Sequence, residues 1–184
     1  GMDITLQAMS GVMSVTGDAD SPPTKAGAAF CDILGGAHLY AGIVSALYER
    51  EQTGKGAVID ISMQDCVFPA LATQLGTYFQ LGHQPARTGN RHSGMALAPY
   101  NVYEAKDGHV AMICFRGEHW LRLCDAMGRP ELKADERFAR TRERVRSVDE
   151  VEALVEQWTR PRTRADSFAS AQRAGMLWSP VQTL

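Results

Sequence analysis

Four patterns are missing from this 184-residue sequence, and each absence excludes a class of protein. The four cysteines form no Cys-x-x-Cys pair, so we expect neither a structural metal site nor a disulfide framework. The 19 basic and 21 acidic residues give a formal net charge of -2, and no basic face for a nucleic-acid partner is expected. The sequence shows no signal-peptide pattern, and no apolar run approaches the roughly 20 residues of a membrane span. We therefore expect a cytoplasmic protein without a membrane partner.

The composition that is present is typical of a folded, globular protein. Apolar residues make up 45% of the chain and charged residues 22%, which suits one or two domains. The first two residues, Gly1-Met2, are either native or the remnant of a cleaved tag, and residues 179–184 have an extended pattern. These ends favour a piece excised from a longer protein.

The first 85 residues predict helices with one short strand. Apolar residues at helical spacing predict a helix over residues 3–16 and a longer one over residues 32–51, with Asp32 at its N-cap. Alternating side chains predict a strand over residues 57–62, and a further helix is predicted over residues 63–81.

The rest of the chain predicts strands followed by helices. After an unpatterned loop, two strands over residues 100–104 and 109–115 are joined at Lys106-Asp107-Gly108, which is typical of a hairpin. The three tryptophans of this half are predicted to lie in its core. The helices predicted after the hairpin cover residues 118–127, 135–140, 147–158 and 163–174.

These elements predict an α/β fold class, in which linker helices with a short strand precede a small α+β domain. Residues 1–85 are the central helical segment that carries Asp32, and residues 86–99 are a mobile loop or linker. The small α+β domain then covers residues 100–184.

Asp32 has two interpretations. Aspartate is a common helix N-cap, which would make it a purely structural residue. However, Gly35-Gly36 follow in the first turns, where each glycine costs on the order of 1 kcal/mol relative to alanine, so we expect a close approach to the backbone there. A carboxylate at a helix N-terminus is held ionised, and nearby backbone donors stabilise charge on an attacked carbonyl. Asp32 is therefore either a plain N-cap or a nucleophile.

A set of motifs follows one order along nearly the whole chain: DITLQAMSGVMSVTG at residues 3–17, Pro22-Pro23, the Asp32 helix, EREQTGKG at residues 49–56, IDISMQD at residues 59–65, Gly89-Asn90-Arg91-His92, Pro99-Tyr100 and Lys106-Asp107-Gly108. Together these motifs resemble the family III CoA-transferases, the carnitine and bile-acid type that includes formyl-CoA transferase-like enzymes. The likeness covers the central and small-domain portion of that family's fold.

The resemblance implies a fold, partners and an activity. Members of the family are longer and begin with a Rossmann-like half, most of which this sequence lacks, and their subunits interlock as homodimers. The implied activity moves CoA from an acyl-CoA donor to a carboxylic acid acceptor, so CoA is a substrate and no cofactor is implied.

The resemblance also implies site residues. Asp32 would form a mixed anhydride and then an aspartyl-CoA thioester, while Met2, Asp3, Gly89 and Asn90 would bind CoA or substrate. The stretch over residues 89–94 matches a loop that closes over the intermediates in these transferases, but it has two glycines where the family has a run of four. A plain connector is the alternative for this stretch.

Two other functions stay open at this point. Racemases of the same family carry a histidine at the position of Met2, and a methionine cannot transfer a proton, which counts against that activity. The remaining alternative is a catalytically inactive fragment.

Overall fold

The computed structural model describes residues 1–184, and the chain divides into two compact units, residues 1–89 and 90–184. The boundary falls within the segment predicted as a linker. The mixed α/β fold class is confirmed, since helices accompany a small three-stranded antiparallel sheet.

The first unit is helical. Gly11, with a left-handed φ of 88°, separates the first two helices, which suits a residue without a side chain. The predicted helix over residues 63–81 is broken by a 3₁₀ turn at Phe68–Leu71, where Pro69 lacks a backbone donor. The helices of this unit are α1 (Asp3–Met9), α2 (Val12–Val15), α3 (Phe30–Thr53), α4 (Met63–Val67) and α5 (Ala72–Leu81).

The long helix α3 begins earlier than the sequence indicates. Its N-cap is Ala29, which has no side-chain cap, and Asp32 is the third helical residue. The predicted N-cap role of Asp32 is therefore wrong. At the other end Gly54 adopts the left-handed conformation, and its N–H donates to the Arg50 carbonyl at 2.7 Å, which closes the helix.

The predicted strand over residues 57–62 is also wrong, because this extended segment has no hydrogen-bonded strand partner. Its alternation instead reflects one-sided packing. Ile59 lies against α3 at Gly42, where an added Cβ would be 3.1 Å from Ile59 Cγ2, while Val58 is 98% exposed.

Helix α3 is long and apolar enough, by length and composition, to cross a membrane, so the expectation that no such run exists is corrected. Core helices of larger folds pass the same test. Little of its surface is buried within the structure. Its exposed large apolar side chains are Ile33, Leu39, Tyr40, Ile43, Val44, Leu47 and Tyr48.

The second unit is built on an antiparallel sheet in the order β1-β2-β3. The predicted hairpin is confirmed, with Ala105 opposite Gly108 across the turn. The third strand was not predicted. The elements are β1 (Tyr100–Ala105), β2 (Gly108–Ile113), α6 (Gly117–Ala126), α7 (Thr141–Arg146), α8 (Val148–Thr159), α9 (Arg164–Ala174) and β3 (Leu177–Pro180), with a 3₁₀ turn at Pro130–Lys133.

The helix predicted over residues 135–140 is wrong. The Asp135 carboxylate accepts a hydrogen bond from the Arg137 N–H at 3.0 Å and so closes a turn. Side chains of this kind compete with helix formation. The helix starts only at Thr141, in α7.

One face of the sheet and helices α6, α8 and α9 enclose the core of the second unit. The prediction that the tryptophans lie there is confirmed: Trp120, Trp158 and Trp178 are all buried. The Trp158 and Trp178 rings meet edge to face with centroids 5.1 Å apart.

Candidate active site

The carboxylate of Asp32 lies on the surface in the first turn of α3. The preceding residue, Cys31, is fully buried, and Gly35, about one helical turn after Cys31, is also buried. One face of this turn therefore packs against the unit, while Asp32 lies on its exposed face. The dipole of the 24-residue helix α3 gives this end a partial positive charge. Asp32 thus lies at the positive end of the helix and is open to a reactant from solvent.

Asp3 of α1 supports the start of this helix. Its side chain is 8% exposed, and Oδ1 accepts a hydrogen bond from the Cys31 N–H at 3.1 Å. This bond satisfies a backbone donor in the first turn of α3 that the uncapped Ala29 leaves free. Met2, by contrast, is 71% exposed. The predicted contacts of Met2 and Asp3 with CoA stay predictions.

The thiol of Cys31, next to Asp32, is not a competing nucleophile. Burial, followed by the charge and hydrogen bond of Asp3 and the charge of Asp32, raises the pKa of Cys31. The group therefore stays a buried, neutral thiol at neutral pH. Asp32 is the only one of these two neighbours whose side chain is exposed.

The two glycines after Asp32 differ in their surroundings. A Cβ added to Gly35 would lie 2.8 Å from Met63 Cγ, so the close approach expected there is made by the side chain of α4. A Cβ added to Gly36 would meet no atom within 4 Å. Packing of α4 on α3 explains Gly35, and nothing in the structure explains Gly36.

This difference predicts opposite effects of alanine at the two positions. Gly36→Ala is expected to raise the free energy of unfolding by up to about 1 kcal/mol through helix propensity. Gly35→Ala is expected to lower the free energy of unfolding by about 1 kcal/mol, because the displacement of Met63 costs more than the gain in helix propensity. Urea unfolding followed by circular dichroism measures both, with each variant as the control for the other. Equal shifts would contradict this account of the packing.

Gly89, at the end of the first unit, is fixed to the loop before Ser21. Its N–H donates to the Gly17 carbonyl at 3.0 Å, and its φ is 60°. A Cβ there would lie against the Asp18 carboxylate, so the position requires glycine. The Arg87 guanidinium reinforces the contact by donating to the Asp18 carbonyl at 3.0 Å. The predicted role of Gly89 in substrate binding stays a prediction.

Asn90 opens the second unit and lines a shallow cavity of about 650 Å³ beside the sheet. The next residue, Arg91, is ion-paired with Glu152 at 2.6 Å and with Asp149 at 2.5 Å on α8. These two carboxylates raise the pKa of Arg91, chiefly through the hydrogen bonds of Glu152. The predicted mobile loop over residues 86–99 is thus tied to α8 at Arg91. The substrate contact of Asn90 stays a prediction.

One buried polar residue of this region was missed from the sequence. Gln7 of α1 is fully buried and bonds to Asp3 and to the segment before α3. The only sequence signal is its spacing of four residues from Asp3, which places both on one helix face. No group of three or more histidine, cysteine or acidic side chains that would suit a metal ion is present.

Comparison with known proteins places these features in a wider group. The family model described as CoA-transferase family III matches residues 1–184. The acetyl-CoA:oxalate CoA-transferase of Acetobacter aceti is 39% identical over 180 residues, which cover 97% of this chain and 46% of that protein. The succinyl-CoA:mesaconate CoA-transferase of Haloarcula marismortui is 36% identical, with 85% and 39% covered. The chain spans about half the length of the curated relatives it matches, or less.

A solved structure has the same fold. The CaiB/BaiF family protein from Brucella suis superimposes with a TM-score of 0.83 at 37% sequence identity. The match covers 100% of this chain and 48% of that protein.

Proposed function

The chain belongs to CoA-transferase family III, and from this we propose that its protein moves CoA from an acyl-CoA donor to a carboxylic acid acceptor. Relatives named as CoA-transferases for oxalate, mesaconate and glutarate support this activity. All three names refer to small dicarboxylic acids. We extend the proposal to an acceptor of that class.

Asp32 is the proposed nucleophile. Its carboxylate oxygen attacks the thioester carbonyl of the donor, forming an acyl anhydride as the C–S bond breaks and CoA thiolate leaves. The thiolate then attacks the Asp32 carbonyl carbon, which forms an aspartyl-CoA thioester and releases the donor acid. The acceptor carboxylate repeats the two steps in reverse and leaves as its CoA ester, which restores Asp32.

The observation that carries this proposal is that the carboxylate of Asp32 is exposed in the first turn of α3, while Cys31 before it is fully buried. The attack needs access from solvent, because donor and acceptor enter in turn. The neutral, buried Cys31 leaves Asp32 as the reactive group of the pair.

Further properties belong to the same proposal. We propose a homodimer, because α3 exposes a row of apolar side chains that a partner surface or the rest of the fold would cover. The cytoplasm is the proposed location. The thioether of Met2 cannot transfer a proton, which argues against racemase activity.

An assay of CoA transfer tests the proposal. The native polypeptide, meaning the gene product that carries residues 1–184, is incubated with acetyl-CoA or succinyl-CoA and with oxalate, mesaconate or glutarate, with a monocarboxylic acid as the control. Chromatography of the CoA esters should show the new ester of a dicarboxylate. Incorporation of solvent deuterium at the α-carbon of the donor, without formation of a new CoA ester, would contradict the proposed transferase activity and indicate a racemase.

A further inference from the structure

Two buried polar side chains of α1 hold the segment that leads into α3. Gln7 Oε1 accepts a hydrogen bond from the Ala26 N–H at 2.9 Å, and Gln7 Nε2 donates to Asp3 Oδ2 at 2.7 Å and to the Ala28 carbonyl at 3.4 Å. Asp3 Oδ1 accepts from the Cys31 N–H at 3.1 Å. We call this pair the Asp3–Gln7 bridge, and it bonds both ends of the stretch from residue 26 to residue 31.

The polarity of the bridge is defined by its partners. The Gln7 amide must direct its donor to the Asp3 carboxylate, which can only accept, and its acceptor to the Ala26 N–H, which can only donate. The opposite orientation of the amide would break both bonds. Each group therefore fixes the others, as in a fully satisfied buried network.

The lead-in segment cannot hold itself in place. Residues 26–29 read Ala-Gly-Ala-Ala, so they carry no polar side chain, and residues 27–29 are exposed to solvent. The N-cap Ala29 makes no side-chain cap bond. The adjacent Lys25 ammonium donates to the carbonyls of Ala26 at 2.6 Å and Gly27 at 3.1 Å. The N–H groups at the two ends of the stretch, those of Ala26 and Cys31, donate to groups supplied by α1.

We propose that Gln7 is a positioning residue: together with Asp3 it fixes the backbone over residues 26–31 and thereby the carboxylate of Asp32, the next residue in the chain. Gln7 is fully buried, so it acts through the backbone and touches no substrate. The inference rests on the proposed role of Asp32 in CoA transfer.

A polarity swap across the bridge tests this role. In Gln7→Glu two carboxylates face each other, and the bond between the side chains is lost at a pH where both are ionised. In Asp3→Asn the amide has only one acceptor oxygen, so it presents its N–H₂ group either to the Gln7 amide donor or to the Cys31 N–H, and one of these two bonds is lost. In the double variant the new amide at position 3 donates to the new carboxylate at position 7, whose second oxygen still accepts from the Ala26 N–H. The amide oxygen at position 3 still accepts from the Cys31 N–H, so only the long bond to the Ala28 carbonyl is lost.

We expect each single variant of the native polypeptide to lower kcat by about 30-fold, because a small misplacement of a reacting group has a large effect on rate. For Gln7→Glu, KM should change by less than about twofold, since Gln7 is fully buried and no substrate contact is removed. The double variant should recover kcat to within about threefold of the native protein. Gln80→Glu, on an exposed position of α5, is the matched control and should leave kcat unchanged.

Hydrogen exchange separates this inference from the proposed function. In the 184-residue chain, the Ala26 and Cys31 amides should exchange about tenfold faster in Gln7→Glu and regain protection in the double variant. Native exchange rates in both single variants, or a double variant that is no more active or protected than the singles, would overturn the bridge. Failure of CoA transfer in the native polypeptide with the exchange pattern intact would count against the proposed function alone.

Discussion

Asp32→Asn is expected to lower kcat for CoA transfer in the native polypeptide by about 10³-fold or more. The amide keeps the shape of the side chain but is a far weaker nucleophile, so the first covalent step is lost. The fold should survive, because Asp32 is exposed and makes no packing contact in the core of its unit. Steady-state formation of the new CoA ester measures the change.

Glu51→Gln is the matched control for this variant. Glu51 is an exposed carboxylate at the far end of the same helix, and its contact with Arg50 is a surface ion pair at 3.7 Å. Its removal should leave kcat within about twofold of the native value, because such pairs contribute little. An Asp32→Asn enzyme as active as Glu51→Gln would exclude Asp32 as the nucleophile.

Arg144→Met is expected to lower the free energy of unfolding of the second unit by about 3 kcal/mol. The Arg144 guanidinium is 1% exposed and donates to the carbonyls of Ala98 and Phe138, each at 2.8 Å. It also lies 5.2 Å from the centre of the Trp120 ring. Methionine fills similar space but leaves both carbonyls without this donor in a buried site.

Tryptophan fluorescence during urea unfolding reports this change selectively, because all three tryptophans lie in the second unit. Arg142→Met is the control, since Arg142 is an exposed residue of the same helix, α7. It should change stability by less than about 0.5 kcal/mol. Similar midpoints for the two variants would show that the buried arginine does not support this unit.

The sequence predicts those elements whose signal is local. The β1–β2 hairpin depends on a turn at Lys106-Asp107-Gly108 between two strand patterns, and the helix that became α3 depends on a regular apolar repeat. Both are confirmed. The strand β3 could not be predicted in the same way, because its four residues are defined by pairing with β2, more than 60 residues earlier in the chain.

The two elements that were predicted wrongly, the strand over residues 57–62 and the helix over residues 135–140, also depend on contacts that a local pattern does not contain. Residues 57–62 alternate like a strand, yet one-sided packing of Ile59 on α3 produces the pattern without any partner strand. Around Asp135 a side-chain bond to the Arg137 N–H competes with the helix. In each case a contact that the periodicity does not encode decides the outcome.

The candidate site shows how far family motifs reach. They lead to Asp32 as the proposed nucleophile, and this residue lies exposed in the first turn of α3. They do not identify Gln7, because its bonds to the Ala26 N–H and the Ala28 carbonyl join residues about twenty positions apart. Only the fold brings α1 beside the lead-in segment.

The covalent state of Asp32 is the most direct test of the central claim. The native polypeptide is mixed with acyl-CoA, treated with hydroxylamine, and examined by intact-mass and peptide mass spectrometry. The account predicts a hydroxamate at Asp32 that is absent from Asp32→Asn and from protein mixed with free CoA. Active protein that transfers CoA with no modification at Asp32, or with a modification at another residue, would contradict it.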